Sequence, residues 1–426
     1  MRAAPAIDNK IRRQSRTFPQ FVGQSPLTAP CSIEHGAMAV KCALLLATVL
    51  IITITKISAR PQETYEEEGN ISAEFFKEVK ELLAAKSALE KENENDLNRE
   101  TERELQVSGP PVPREVENWP TEPLDAGQIT AVSINSKGQP VIFHRADRVW
   151  DESSFNESHS YQHHSLGPIK KETVFVLDPV TGSLVASWGG DSFYMPHGLT
   201  VDRHDNVWVT DVAMHQVFKY TPGHRFPRLT LGEAFRGGSP RGPRVLLCMP
   251  TSVAIATTGE VFVADGYCNN QILKFNAAGG LLRVMPRPPE FLSLQVPHGL
   301  ALLEHLDLVC VADRENMRVV CPRSGLRGSP SPLSPPATIQ APDLGRVFAV
   351  AALGDLVYAV NGPTSPMIPV RGFTIDPRSE NIIDHWGPKK GFTNPHSIAI
   401  SHNGSFMYVT EIGPNKIWKF ELVIEN

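Results

Sequence analysis

The sequence predicts an all-β, six-bladed β-propeller, and three observations predict it. A short grammar recurs in "PHGLTVDRHDNVWVTDVAMHQVFKYTP" (196–222), "PTSVAIATTGEVFVADGYCNNQILKFNAAG" (250–279), "PHGLALLEHLDLVCVADRENMRVVCP" (297–322) and "PHSIAISHNGSFMYVTEIGPNKIWKFEL" (395–422). Each unit runs from a proline through an apolar strand and a Gly, Asn or Asp turn. A β-branched strand with an acidic residue at its end (Asp211, Asp265, Asp313, Glu411) and a third, apolar-ended strand complete it. The equivalent positions His197, Thr251, His298 and His396 stand 54, 47 and 98 residues apart, the last being two periods of 49, and 112–426 at that period holds six units.

Ahead of the repeats the chain changes character twice. Residues 1–61 carry eight Lys and Arg against two Asp and Glu, whereas 62–108 carry six against fourteen. Within the first stretch, "MAVKCALLLATVLIITITKISAR" begins at Met38, with Lys41 before an apolar run from Cys42 to Ile54 and small residues at Ser58 and Ala59. That is the pattern of a signal peptide, too short in its apolar part for a spanning helix of about 20 residues. The 37 residues before Met38 are read either as an untranslated extension or as an unusual leader. Residues 1–59 are thus expected to be an N-terminal extension and signal peptide that directs secretion.

Residues 60–111 form an acidic, partly helical spacer or propeptide: Ile71, Phe75, Phe76, Val79, Leu82 and Leu83 share one helical stripe before the pattern dissolves into charge. "SGPPVPREVENWP" then reads as a linker, placing the propeller at 112–426. Two of its blades are less regular, one over 130–150 with 172–188 and one over 346–362 with 370–386.

Whole-chain composition excludes some functions. With 41 Lys and Arg against 46 Asp and Glu there is no basic footprint, so nucleic acid is not an expected partner. Of six cysteines, Cys31 and Cys42 fall in the leader. Cys248 and Cys268, and Cys310 and Cys321, each flank strands of a single repeat, which predicts two local disulfides in a secreted protein. The sequons at Asn70, Asn156 and Asn403 fit secretion as glycosylation sites.

In a propeller the innermost strands line a central channel, so residues at one repeat position converge. His197, His298 and His396 should therefore meet as a facial set of three imidazoles with an open position, the arrangement that holds a catalytic Zn²⁺. The other histidine cluster, "SHSYQHH" with His159, His163 and His164, lies in a polar insertion and reads as a solvated loop.

"VIFHRADRVWDESSF", "YMPHGLTVDRHDNVWVTDVAMHQVFKY", "VFVADGYCNNQILKF", "VCVADRENMRVVC" and "VYAVNG" carry a resemblance, extending from Val116 to Leu422, to the peptidyl-alpha-hydroxyglycine alpha-amidating lyases. The resemblance implies a six-bladed propeller that cleaves a peptidyl-α-hydroxyglycine to an amidated peptide and glyoxylate, with Zn²⁺ in the channel and a structural Ca²⁺. It implies that Tyr267 is the base and that Arg145 and Arg314 grip the substrate carboxylate. The expected functional partner is a separate copper peptidylglycine monooxygenase that hydroxylates the peptide first, and the protein is expected to be a monomer.

Two features depart from the family pattern. Asn394 stands where the family has methionine, and Ser397 where it has the aspartate that reaches calcium. The family's other calcium contacts are backbone carbonyls, here at Val132 and Leu199, so calcium is expected to be weak or absent. The alternative readings are a non-catalytic secreted propeller or a lactonase-like hydrolase, the latter wanting carboxylates around its metal.

Overall fold

The computed structural model describes Lys80 and residues 109–240, 245–286, 292–327 and 336–425. The signal peptide, the acidic segment apart from the helical Lys80 and residues 109–111, the sequon at Asn70 and the Ser/Pro stretch 328–335 lie outside the described residues. The chain divides into two compact units, Met1–Leu89 and Glu90–Asn426, and the strands belong to the second.

Strand β1 (Val112–Glu115) comes first. Blade 1 follows with β2 (Ile129–Ile134), β3 (Pro140–His144), β4 (Val174–Leu177) and β5 (Leu184–Trp188), then blade 2 with β6 (Pro196–Val201), β7 (Val207–Asp211), β8 (Gln216–Tyr220) and β9 (Leu229–Leu231). Blade 3 is β10 (Ser252–Ile255), β11 (Val261–Asp265), β12 (Gln271–Phe275) and β13 (Leu281–Met285). Blade 4 is β14 (Pro297–Leu303), β15 (Leu308–Asp313), β16 (Arg318–Cys321) and β17 (Ala337–Ile339). Blade 5 is β18 (Val347–Leu353), β19 (Leu356–Asn361), β20 (Gly372–Asp376) and β21 (Asn381–Trp386); β22 (Pro395–Ile400), β23 (Phe406–Ile412) and β24 (Asn415–Val423) begin blade 6. Each sheet has four antiparallel strands, and β1 supplies the fourth of blade 6 by pairing with β24, Arg114 opposite Glu421. The ring is thus closed by joining the two ends of the propeller in one sheet, which leaves no blade short of its outer strand.

Apolar layers fill the space between neighbouring blades. Phe143 of β3 meets Phe193, just ahead of β6, edge to face at 5.0 Å, and Trp386 of blade 5 meets Phe420 of blade 6 at 5.3 Å. The acidic residue of the repeat has a local task. Asp211 accepts hydrogen bonds from the backbone N–H of Tyr194 and Met195, Asp265 from Cys248, Asp313 from Gln295, and Glu411 from Thr393 and Asn394. In each case a buried carboxylate ties down the loop that leads into its own blade's inner strand. Blades 1 and 5 place His144 and Asn361 at this position, His144 accepting from the backbone N–H of Gly127 and Ala146, and Asn361 from that of Arg371. That exchange is why these two blades looked irregular in sequence.

The inner strands share a further device. Pairing of the first two strands shifts register between Ile129 and Ala131, Pro196 and Leu199, Pro297 and Leu300, Val347 and Ala349, and Pro395 and Ser397. The bulges therefore fall at Thr130, His197, His298, Phe348 and His396. A bulge frees a residue from strict alternation and re-aims its side chain, here at one end of the channel. The channel encloses about 320 Å³.

Candidate active site in the channel

Three of those bulge residues are the histidines predicted to meet, and they do. His197, His298 and His396 are 1%, 3% and 4% exposed, with ring centroids 4.7–4.9 Å apart and candidate ligand atoms all within 4.8 Å of one another. Each Nδ1–H donates to the backbone carbonyl of the next blade's equivalent residue: His197 to Thr251 at 2.8 Å, His298 to Phe348 at 2.6 Å, His396 to Thr130 at 2.6 Å. Histidine thus alternates around the ring with a residue that contributes only its carbonyl. The carbonyl bond places the ring proton on Nδ1 and leaves each Nε2 with a lone pair. Burial, reinforced by the neighbouring imidazoles at His197 and His298 and by arginine charge at all three, holds His197 and His298 well below the usual imidazole range and His396 down to about 3, so all three are neutral donors.

The glycine after two of the histidines has a steric reason. A Cβ on Gly198 would stand 2.4 Å from the Thr251 carbonyl oxygen, and one on Gly299 would stand 2.9 Å from Ala349 Cα. Without side chains there, adjacent inner strands approach closely enough for the imidazole to reach its carbonyl.

Tyr267 lies over the open side. Its hydroxyl is 3.1 Å from His197 Nε2 and 3.3 Å from His298 Nε2, while Arg314 Nη1 approaches it at 3.4 Å. The tyrosine sits in the loop after β11, next to Cys268, which is bonded to Cys248; Cys310 is bonded to Cys321. Both predicted disulfides are present and belong to an oxidising environment.

The two predicted arginines flank this centre but are held differently. Arg314 lies over the rings of Tyr267 and Phe348, 5.2 and 5.1 Å to the centroids, with its Nε on Glu315 at 2.9 Å; Glu315 also pairs with Arg346. Arg145 is 1% exposed and has only neutral acceptors, the Pro196 carbonyl at 2.9 Å and Gln128 Oε1 at 2.7 Å. Among the described residues no carboxylate lies within ion-pair distance of it. Burial pushes its guanidinium down to about 10, against the pull of Tyr267, Asp211 and Tyr161.

Val132 and Leu199 are buried on the inner strands and line the channel. Ser397 Oγ accepts from the Val132 N–H at 3.2 Å, joining blade 6 to blade 1. The sequons at Asn156 and Asn403 are exposed. The histidine-rich insertion is more anchored than a solvated loop. Tyr161 is buried and bridges to Phe155, and the exposed His164 stacks on Tyr194 at 5.5 Å.

Sequence reasoning missed Gln128, Trp150 and the three carbonyls. Trp150 is half-buried, 5.0 Å from the Tyr267 ring and 5.1 Å from the Arg145 guanidinium. The carbonyl acceptors leave no side-chain signature, although Thr130, Thr251 and Phe348 occupy the repeat position of the histidines.

Fold and site define a six-bladed propeller whose channel carries a three-histidine group able to hold a metal ion. The NHL repeat matches residues 193–220, 247–275 and 294–321. Peptidyl-alpha-hydroxyglycine alpha-amidating lyase 2 of Drosophila melanogaster is 61% identical over 322 residues, covering 75% of this chain and 78% of the fly protein. The probable lyase pgal-1 of Caenorhabditis elegans is 38% identical, covering 70% of this chain and 84% of its own length. The peptidylglycine alpha-amidating monooxygenase of Rattus norvegicus is 40% identical over 72% of this chain, which spans 31% of the rat protein. The chain belongs to the peptidyl-alpha-hydroxyglycine alpha-amidating lyase family.

Proposed function

We propose that the protein is a zinc-dependent lyase that cleaves the C–N bond of a peptidyl-α-hydroxyglycine, leaving a C-terminally amidated peptide and glyoxylate. The observation that carries this reading is a buried guanidinium, on Arg145, that has no carboxylate partner among the described residues, together with a tyrosine hydroxyl within reach of two imidazole nitrogens. A buried cation left with neutral acceptors is costly, and a substrate carboxylate offsets that cost.

The residues fit zinc. Three neutral imidazoles, each with its tautomer fixed by a carbonyl, offer three nitrogen lone pairs from one side and leave the other side open beneath Tyr267. A bound Zn²⁺ supplies Lewis acidity to the carbinol oxygen. Arg145 and Arg314 hold the carboxylate, which fixes the hydroxyl-bearing carbon near Tyr267. Tyr267 Oη accepts the hydroxyl proton and passes a proton to the nitrogen, which leaves with the electron pair of the broken C–N bond, so the tyrosine ends as it began while the carbon becomes the aldehyde of glyoxylate.

The calcium site fits less well. The Ser397 hydroxyl is used by Val132 N–H, and the channel carboxylate Glu304 already accepts from Thr257 through both oxygens. A hard cation there would find the backbone carbonyls of Val132 and Leu199 but, among the described residues lining the channel, no anionic oxygen other than those Glu304 already commits to Thr257, so calcium is weak or absent in this reading.

The rest of the reading follows from the compartment. Two disulfides and the exposed sequons Asn156 and Asn403 support a secreted or secretory-lumen glycoprotein; the reading adds a monomer acting on peptides that a separate copper monooxygenase has hydroxylated. Incubation of the purified protein with a peptidyl-α-hydroxyglycine tests it: amide and glyoxylate should appear one for one, and no glyoxylate in the presence of zinc overturns it.

A further inference from the structure

Arg145 is positioned from three directions. Its Nε donates to the carbonyl of Pro196, the residue before the ligand candidate His197, its Nη1 donates to Gln128 Oε1 at 2.7 Å, and its face lies 5.1 Å from the centroid of Trp150. Nη2 has no hydrogen-bond partner among the described residues. The same Gln128 oxygen accepts the backbone N–H of Trp150 at 3.1 Å, and the Trp150 ring packs 5.0 Å from that of Tyr267. One amide oxygen thus ties together a guanidinium and the aromatic wall behind the tyrosine.

We propose that Gln128 is a positioning residue for substrate recognition, setting the Arg145 fork so that its free edge meets the α-carboxylate of the hydroxyglycine. The chemistry of the holder is part of the role. A carboxylate in place of Gln128 would neutralise Arg145, as Glu315 offsets Arg314, whereas a neutral amide fixes the guanidinium and leaves its charge for the substrate. Removing the acceptor lets the guanidinium rotate about its last torsions and loses the two-point grip. This inference rests on the lyase reading.

The test compares two substrates, a peptidyl-α-hydroxyglycine and the matching N-(hydroxymethyl) peptide amide, which lacks the carboxylate and would release formaldehyde. Glyoxylate release by the wild-type protein establishes the lyase reading independently. Gln128→Met should raise KM for the carboxylated substrate about tenfold, with kcat changed by no more than about threefold, and should leave kcat/KM for the N-(hydroxymethyl) amide within about threefold of wild type. In an Arg145→Met background the same change should add little, because the two residues act as one unit. Should Gln128→Met fail to fold, Gln128→Glu decides in its place, since its negative charge should penalise only the carboxylated substrate. Equal losses on both substrates, or effects of Gln128→Met and Arg145→Met that multiply, would overturn the proposal while leaving the lyase reading intact.

Discussion

His396 donates its Nδ1–H to the carbonyl of Thr130 at 2.6 Å, across the seam where the last blade meets the first. The third imidazole is therefore oriented by a residue 266 positions away, and its geometry depends on closure of the ring by β1 against β24. Removal of residues 1–116 should lower the thermal midpoint and zinc affinity together. A truncated protein that binds zinc as tightly as the full chain would separate the centre from ring closure.

Gly198→Ala probes the close approach behind His197. The new Cβ would lie 2.4 Å from the Thr251 oxygen, so the strands must part and the His197 bond to Thr251 lengthens. Overpacking of this kind costs about 1–3 kcal/mol. Denaturant unfolding should show that loss together with weaker zinc binding, whereas Gly387→Ala, whose Cβ would meet only Phe392 at 3.7 Å, should change neither.

Tyr267→Phe should retain fold and zinc content while kcat falls by roughly 10², the usual consequence of removing a general base. Arg145→Lys keeps charge but loses the fork, so its effect should fall on KM. Steady-state kinetics separates them; near-normal turnover in the tyrosine variant contradicts its role.

The propeller period and the three histidines were legible because every repeat writes its inner strand in the same words, so a histidine in one unit predicts the place of a histidine in another. What sequence could not carry was backbone chemistry. The carbonyls of Thr130, Thr251 and Phe348 orient the imidazoles, yet a carbonyl leaves no mark in the residue that owns it. Gln128 stayed hidden for another reason: it lies ahead of β2, outside the repeat grammar, and comes beside Arg145 only when β2 pairs with β3. The insertion around Tyr161 read as polar because its few aromatic anchors are scattered among exposed residues.

Two buried histidines outside the metal group give a pH signature. Burial lowers His144 and His215 to about 4. Between about pH 6.5 and 4 the unfolded chain binds protons that these native imidazoles do not, so their contribution to stability is present above pH 6.5 and lost as pH falls. Asp265, raised by burial to about 6, acts oppositely, with stability lost as pH rises from about 4 to 6. Urea unfolding at pH 7, 6 and 5 should therefore show a fall toward acid that is smaller in a His215→Gln variant. An unchanged slope in that variant contradicts the assignment.

Ser397→Asp should restore an anionic oxygen to the channel at Val132 and Leu199. The variant is expected to bind calcium more tightly and to gain thermal stability in its presence, by the linkage any native-state ligand provides. Tight stoichiometric calcium in the unmodified protein would show that carbonyls alone suffice.

In the proposed function one centre, built around the three-histidine group of His197, His298 and His396, performs the cleavage. It is tested most directly by titrating zinc into metal-stripped protein while following glyoxylate release from a peptidyl-α-hydroxyglycine. The expected result is activity that rises to a plateau at one zinc per chain and does not return in His298→Ala. Glyoxylate release at the full rate by the stripped protein, or undiminished release by the His298 variant, would contradict it.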